Sequence, residues 1–540
     1  MKKKYNFILS FILIIFTFSA CINDLDVTPI NPQKVQTFDQ DKVFAKIYAL
    51  WPLTGQNGPN GNSDIYAPDE GRFCLYRLLW NCNEITTDEA ICAWSDEETI
   101  DLNTNKWTTL NSTIKATYDR LYLVIVNCNH FLENTEGKAD DHTVKQRAEV
   151  RFLRALAYYY LLDMFGNVPF TTQVGEIPDQ IERKDLFIWV EDELKSIEKD
   201  MYEPQTQPYY RVDKVANWLL QARLYLNAEI YTSIAKWDSA AYYAKKVIDS
   251  PYELTGTYRH LFMADNAGAL DGSTVNTAPT EIIFPLAADG RKTQSWGHSQ
   301  FLICSTYTSG MGNWGTEGWG GNRARPELVK KFFPNPGAII VKDNTNLTTI
   351  TYPSNLKDDR ALFYKEGRTL GIEEITDFKK GYSVIKFTNI RADGGQTQDI
   401  TYVDMDVPFM RKAEAYLTYA EAILRGASLI DGYSAVDAVN ALRTRAHSGK
   451  QAVNITLKDD EDVNNGKFNI INEWAREFFF EGRRRSDLIR FGMFGGETAY
   501  QWQWKHGVQN GENFPVHYNL FPIPAADLNA NPKLQQNEGY

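Results

Sequence analysis

The chain has 540 residues and a formal net charge of −12, with 43% hydrophobic and 23% charged residues. Those values suit a folded body with a substantial core and exclude both disorder and a bundle of membrane helices. The acidic balance excludes a nucleic-acid partner as well, because phosphate backbones are held by clustered Lys and Arg. One feature of the composition is unusual: 13 Trp, 29 Tyr and 29 Phe occur in a chain whose mean hydropathy is −0.41. So many rings in a polar chain place some of them at the surface.

Lys2, Lys3 and Lys4 precede an apolar run from Phe7 to Phe18, broken only by Ser10 and Thr17, and Ser19 and Ala20 stand before Cys21. Residues 1–20 therefore read as a secretory signal peptide. Its apolar run rises about 18 Å as a helix, short of the roughly 30 Å hydrocarbon layer, which argues against a spanning anchor. The small residues before Cys21 resemble a bacterial lipobox, whose cysteine is lipidated after cleavage, although Phe18 stands where an aliphatic residue is usual. Asp24 and Asp26 resemble an acidic surface-export signal. The alternative is a plain signal peptide with an incidental cysteine. Cys74, Cys82, Cys92, Cys128 and Cys304 remain, so at least one stays unpaired within the chain. Their spacing is not that of a zinc site, and buried thiols or one disulfide are expected.

Ile114, Tyr118, Leu121, Ile125, Cys128 and Leu132 recur at helical spacing ahead of Gly137. Ala148, Phe152, Ala155, Tyr159 and Leu162 do the same over 143–165, which stops at Gly166 with Pro169 beyond. The two predict a helical hairpin. A third helix is expected over 186–201, and Asp213 can cap a fourth that contains Val215, Leu219, Ala222 and Leu226. Residues 237–248 carry an alanine face, and with the preceding helix they resemble a tetratricopeptide unit. A similar pair is predicted over 409–425 and 434–445, and 470–491 reads as the last long helix.

Between 251 and 408 the periodicity fades and Gly, Asn, Thr and Pro accumulate, with short strands expected at 282–284, 339–341 and 382–387. The expected fold is thus mainly α. Tetratricopeptide-like helix pairs in 21–250 and 409–540 form one scaffold, because neither flank alone supplies enough stacked repeats. Residues 251–408 are a loop-rich insertion within that single body.

Most motifs for chemistry fail on context. Gly310, Gly312 and Gly315 match a dinucleotide fingerprint in letters, and 301–307 could be its strand, but no helix follows to receive a pyrophosphate. Asp460, Asp462 and Asn464 resemble half a calcium loop, yet Asn465 takes the glycine position and Ile471 replaces the bidentate glutamate, so a solvated acidic turn is expected. No cofactor and no metal site is read. Glu473, Arg476, Glu477, Glu481 and Arg484 could form a charged catalytic face, but internal ion pairs explain them more cheaply. A glycosidase pair needs only spatial closeness and could lie among the other carboxylates.

The remaining signal is aromatic. Trp296, Tyr307, Trp314 and Trp319 lie in the glycine-rich stretch from Gly290 to Gly321, where periodic packing cannot bury them together, and Trp94 lies in the polar segment after Asp88 and Glu89. Exposed rings stack on the apolar faces of pyranose sugars while polar side chains bond the hydroxyls. These seven residues are the candidate glycan-binding set, the alternative being that some rings plug the insertion onto the helices. Covering about 100 Å² of ring gives roughly 2.5 kcal/mol, so a few platforms suit micromolar to millimolar capture and release.

The assembled sequence resembles the SusD/RagB family, surface lipoproteins of Bacteroidetes that cap TonB-dependent transporters. The resemblance spans nearly the whole chain after Cys21: Leu25-Asp26, Thr87-Asp88-Glu89-Ala90, the run from Ala148 to Ala155 continuing to Phe165-Gly166-Asn167-Val168-Pro169, and Ala222 to Leu226. It continues through Arg325-Pro326, Asp358-Asp359-Arg360, Ala420-Glu421-Ala422 and the run from Ala441 to Ala446. Most specific are Glu473 to Phe478, Glu481-Gly482-Arg483-Arg484, Asp487 to Gly492, and the ending from Pro522 to Tyr540. The resemblance implies a tetratricopeptide-like scaffold under an irregular ligand-binding region. It implies a non-enzymatic protein, lipidated at Cys21 and held on the outer face of the outer membrane, that passes glycans to a SusC-like TonB-dependent transporter and closes it as a lid. Loops after Asp88-Glu89 and in the insertion would supply the sugar contacts, which carries Trp94, Trp296, Trp314 and Trp319 over. Peptide capture, as implied for RagB-like relatives, a hidden glycoside hydrolase and a ligand-free scaffold are the competing readings.

Overall fold

In the computed structural model the helices begin where the sequence offers acceptors for their free amides. Asn111 caps Ser112–Asn134 by accepting from the Thr113 and Ile114 amides, Asp140 caps Asp141–Met164 through Thr143, and Asp213 caps Lys214–Leu226 through Val215 and Ala216. Ser434 opens Ala435–Arg445 in a capping box with Asp437. Gly166 ends the second helix in the left-handed region, φ +74°, with its N–H donating to the Leu161 carbonyl at 3.1 Å.

Residues 38–65, 69–175, 177–268, 276–308, 311, 316–333, 340–341, 350–351 and 357–540 are described. The signal segment 1–20, Cys21, Trp314 and most of the 310–315 glycine motif lie outside them. Two units are distinguished. Of Met1–Val43 only 38–43 is described, including the start of the helix Gln40–Ala49; Phe44–Tyr540 carries every other element.

The helices of the larger unit pack in sequence. Ser112–Asn134 lies on Asp141–Met164, which lies on Arg183–Ile197, and Lys214–Leu226 lies on Trp237–Ile248. Trp237–Ile248 then packs on Ala413–Leu424, and that helix on Ala435–Arg445. Helices on the two sides of the insertion are thus direct neighbours. Ala240, Ala241, Ala244, Ala413 and Ala420, all nearly inaccessible, line these helices with small side chains that allow close approach. The insertion is closed at its base by Ile282–Leu286 running antiparallel to Val407–Arg411, with Ile282 opposite Arg411. Ile340–Val341 pairs with Ile350–Thr351, and Phe363–Tyr364 with Ser383–Val384. The fold is mainly α with short strands. No helix among the described residues is long and apolar enough to cross a membrane.

Three expected elements differ: the helix expected over 409–425 starts at Ala413, because 409–411 belongs to the strand Val407–Arg411. Residues 301–307 are not a strand: the helix Ser299–Cys304 occupies the segment, started by His298, whose Nδ1 accepts from the Ser299 amide at 2.6 Å. Burial holds this imidazole down at about 4, so it is neutral and able to accept. The last long helix is in fact two, Ile470–Phe478 and Arg484–Arg490, parted by Phe480 at φ +63° and Gly482 at φ +78°. The cause is tertiary. Glu84, far away in the chain, accepts from the Gly482 and Arg483 amides at 2.6 and 3.0 Å, and Trp80 Nε1 donates to the Phe480 carbonyl at 2.9 Å. Those buried partners compensate the helix hydrogen bonds lost at the break.

The charged residues of that region form a buried ionic core. Arg411 donates to Glu477 at 2.6 Å, to Glu281 at 3.1 Å and to both oxygens of Glu481 at 2.8 Å, and Arg360 bridges Asp358, Glu473 and Glu477. Burial alone would raise Glu473, but Arg443, Arg360 and Arg476 hold it down at about 2. Glu477 is likewise held far below the usual carboxylate range, against burial, by Arg445, Arg411 and Arg360. Glu473, Arg476, Glu477 and Arg484 are buried, Glu481 is partly so, and all five take part in internal ion pairs. Cys74, Cys82, Cys92, Cys128 and Cys304 are all buried free thiols.

Candidate functional site: an aromatic face held by two short strands

Ala90–Cys92 and Asn322–Ala324 pair antiparallel, with Cys92 opposite Asn322, and the Ala93 amide extends the ladder by donating to the Gly321 carbonyl at 2.9 Å. This register brings Trp94, just past one strand, to the segment just before the other, which holds Trp319, Gly320 and Gly321. A Cβ on Gly321 would lie 2.5 Å from Trp94 Nε1, and Gly321 has φ +115°, so only glycine lets the indole rest against this backbone. Arg77 supports the ring from another side, its guanidinium 5.2 Å from the Trp94 centroid and 4.4 Å from that of Phe301. Arg77 Nη1 donates to the Gly71 carbonyl at 2.8 Å, which fixes the guanidinium in turn.

Trp319 is set by its own amide, which donates to the Cys304 carbonyl at 2.7 Å at the end of the helix Ser299–Cys304. Its ring meets Trp296 at 6.0 Å between centroids with planes tilted by 52°. Trp296 is anchored by Glu70, whose carboxylate accepts from the Trp296 amide at 3.1 Å and from Ser295 Oγ at 2.9 Å. Gly71 makes room for the stem, since a Cβ there would stand 2.6 Å from Trp296 Cβ. Tyr402 touches Trp296 in turn, 4.8 Å between centroids at 50°. All four rings are partly exposed. The Trp319 backbone is held by buried Cys304, and those of Trp296 and Tyr402 by the partly exposed carboxylates of Glu70 and Asp399, an arrangement suited to stacking on a ligand without first ordering the side chain.

The candidate set divides accordingly. Trp296 and Trp319 meet ring to ring, Trp94 lies against Gly321 two residues past Trp319, and Trp314 lies outside the described residues. Tyr307 does not belong to the face: it is 1% exposed and its hydroxyl donates to the Phe387 carbonyl inside the insertion. Asp88 and Glu89 do not belong either, being 0% and 1% exposed. Asp88 accepts from Arg484 at 2.8 and 2.9 Å, from Lys331 at 2.9 Å and from Tyr500 at 2.6 Å, and Glu89 lies 3.5 Å from Arg484. Their place just before the strand Ala90–Cys92 makes them its root, at the end of that strand opposite Trp94. Sequence reasoning missed Tyr402, Arg77 and Glu70. None lies in a periodic pattern or a glycine tract, and only the tertiary fold brings positions 70, 77 and 402 to the same rings.

The SusD family pattern matches residues 280–540, and a second one, described as starch-binding associating with outer membrane, matches 75–245. Over 97% of its length the chain is 41% identical to the starch-binding protein SusD of Bacteroides thetaiotaomicron, covering 96% of that protein. The chain belongs to the SusD family. It is also 23% identical, over 99% of its length, to the whole of the SusD-like protein P25 of Formosa agariphila. Among solved structures, the surface glycan-binding protein A of Bacteroides thetaiotaomicron in complex with laminarihexaose matches with a TM-score of 0.64 at 18% identity, covering 92% of this chain and 98% of that one. The surface glycan-binding protein A of Bacteroides fluxus matches with a TM-score of 0.64 at 17% identity, over 93% and 99% of the two chains. At that identity the two structures establish the shared SusD fold. The SusD resemblance read from the sequence, and the mainly α architecture with it, agree with these matches.

Proposed function

We propose that this SusD-family protein captures glycans on the face formed by Trp94, Trp296 and Trp319 and hands them to an outer-membrane transporter without cleaving them. The observation that carries the reading is the contact of Trp296 with Trp319, two partly exposed indoles on separately anchored backbone, beside Trp94 on Gly321. Tilted rings at this spacing offer neighbouring apolar surfaces to successive sugars of one chain, and the open rim leaves hydroxyls free to meet water and side chains. Two or three such stacks, less the ordering of the ligand, yield modest affinity and fast release, which suits handover. The 41% identical relative, named a starch-binding protein, makes α-glucan chains of the starch class the first ligands to try.

The family membership supports the remaining parts of the proposal. Residues 1–20 direct export, lipidated Cys21 anchors the protein on the outer face of the outer membrane, and a SusC-like TonB-dependent transporter is the partner over which it closes as a lid. Residues 21–540 act as one body in which the helical scaffold, 21–250 and 409–540, carries the insertion 251–408.

The test is a titration of the protein lacking residues 1–21 with maltoheptaose, following tryptophan fluorescence and released reducing ends together. Saturable quenching with no new reducing ends is expected, and loss of the quenching in Trp296→Ala. Release of sugar by the purified protein would overturn the reading in favour of an enzyme, and quenching only with oligopeptides would favour peptide capture.

A further inference from the structure

Resting on the glycan-capture reading, we propose that Tyr402 is a fourth contact residue of the same face and determines the length of chain that the face grips. Trp296 is the ring that both Trp319 and Tyr402 touch, at 6.0 and 4.8 Å, so it links the three rings into one cluster. Tyr402 therefore adds a further ring to the surface around Trp296, beside the one that Trp319 supplies.

The backbone under Tyr402 is built more firmly than an incidental surface tyrosine needs. Asp399 Oδ1 accepts from the Thr401 and Tyr402 amides at 2.7 and 2.9 Å, closing an Asx turn. The Thr401 carbonyl accepts from Gln300 Nε2 at 2.8 Å and Thr316 Oγ1 at 3.2 Å, and the Val403 amide donates to Gln300 Oε1 at 3.0 Å. Gln300 is 1% exposed, so one buried side chain grips the residues on both sides of Tyr402. In the same turn Ile400 is 85% exposed and Val403 is 1% exposed, whereas the Tyr402 ring is only partly covered. A partly exposed phenol against Trp296, its backbone held on both sides, gives a further sugar both an apolar surface and a hydroxyl able to donate or accept.

A purely structural role would make Tyr402 a prop for Trp296, and ligand length separates the two roles. A three-sugar chain can occupy the Trp319–Trp296 pair alone, while a longer one reaches Tyr402. Affinities of wild-type protein, Tyr402→Ala and Tyr402→Phe for maltotriose and maltoheptaose are measured by calorimetry. Tyr402→Ala is expected to weaken maltoheptaose about tenfold while changing maltotriose less than about twofold, and Tyr402→Phe to keep most of the long-chain affinity. Equal proportional losses for both ligands in Tyr402→Ala would make Tyr402 a prop and overturn the proposal, as would no loss for either. Wild-type protein that binds neither chain would overturn the starch-class ligand of the capture reading, and the Tyr402 role with it.

Discussion

Asp88 and Arg484, 396 positions apart, meet in a buried two-point ion pair, Nε to Oδ1 at 2.8 Å and Nη2 to Oδ2 at 2.9 Å. This contact ties the root of the strand that leads to Trp94 to the helix Arg484–Arg490 near the other end of the chain. Asp88 stays ionised despite complete burial because Arg484 and Lys331 hold it far below the usual carboxylate range. Asp88→Ala would leave two buried cations short of their partner, a change that costs about 3–5 kcal/mol. Urea unfolding should show that loss, and Arg484→Ala combined with Asp88→Ala should cost less than the sum of the two single changes.

Gly321 decides where Trp94 can lie. Gly321→Ala places a methyl 2.5 Å from the indole Nε1 at a backbone angle of φ +115°. The strain is on the order of 1–3 kcal/mol, and the ring must move. The expected result is a weaker, several-fold reduced affinity for maltoheptaose with the fold retained, read by titration beside circular dichroism.

Glu84 and Glu89 are buried carboxyls that interact with each other, and both are raised above the ordinary value of 4.5, first by burial, Glu89 to about 7 and Glu84 well above the usual range. The folded protein therefore holds protons that the unfolded chain releases. This contribution is complete below about pH 4.5 and is lost as pH rises through about 7. Glu84→Gln keeps an oxygen for the Gly482 and Arg483 amides and needs no proton, so it should flatten the fall in stability between about pH 5 and pH 7. Thermal unfolding across that range in both proteins checks the slope; an unchanged slope in the variant counts against a proton held by Glu84.

The buried thiols should be inert in the native protein. Burial pushes Cys74 and Cys92 up to about 11, and Cys82, Cys128 and Cys304 up to about 12. Alkylation at pH 8 should label none of the five until denaturant is added, after which mass spectrometry should find all five modified. Fast labelling of any one before unfolding would show that it is reached from solvent.

Much of the scaffold was legible because helix signals are local. Asp213 caps in the structure where its sequence position suggests, and 237–248 is the helix its alanine face predicts. The misreadings share one cause. The segment 470–491 has helical periodicity throughout, yet Glu84 and Trp80 draw its middle out of the helix, and neither is visible from within the segment. Tyr307 and Trp319 look alike in the glycine tract, but one hydroxyl is buried against Phe387 and the other ring lies on the surface beside Trp296.

The amino-acid order alone determined the helix pairs, the loop-rich insertion and the abundance of rings, since capping, periodicity and composition act within a few residues or a single turn. Only the tertiary structure decided which rings share a face. That choice depends on the Cys92–Asn322 register, the Gln300 grip on 401–403 and the Asp88–Arg484 pair, all contacts between residues that chain spacing leaves unrelated.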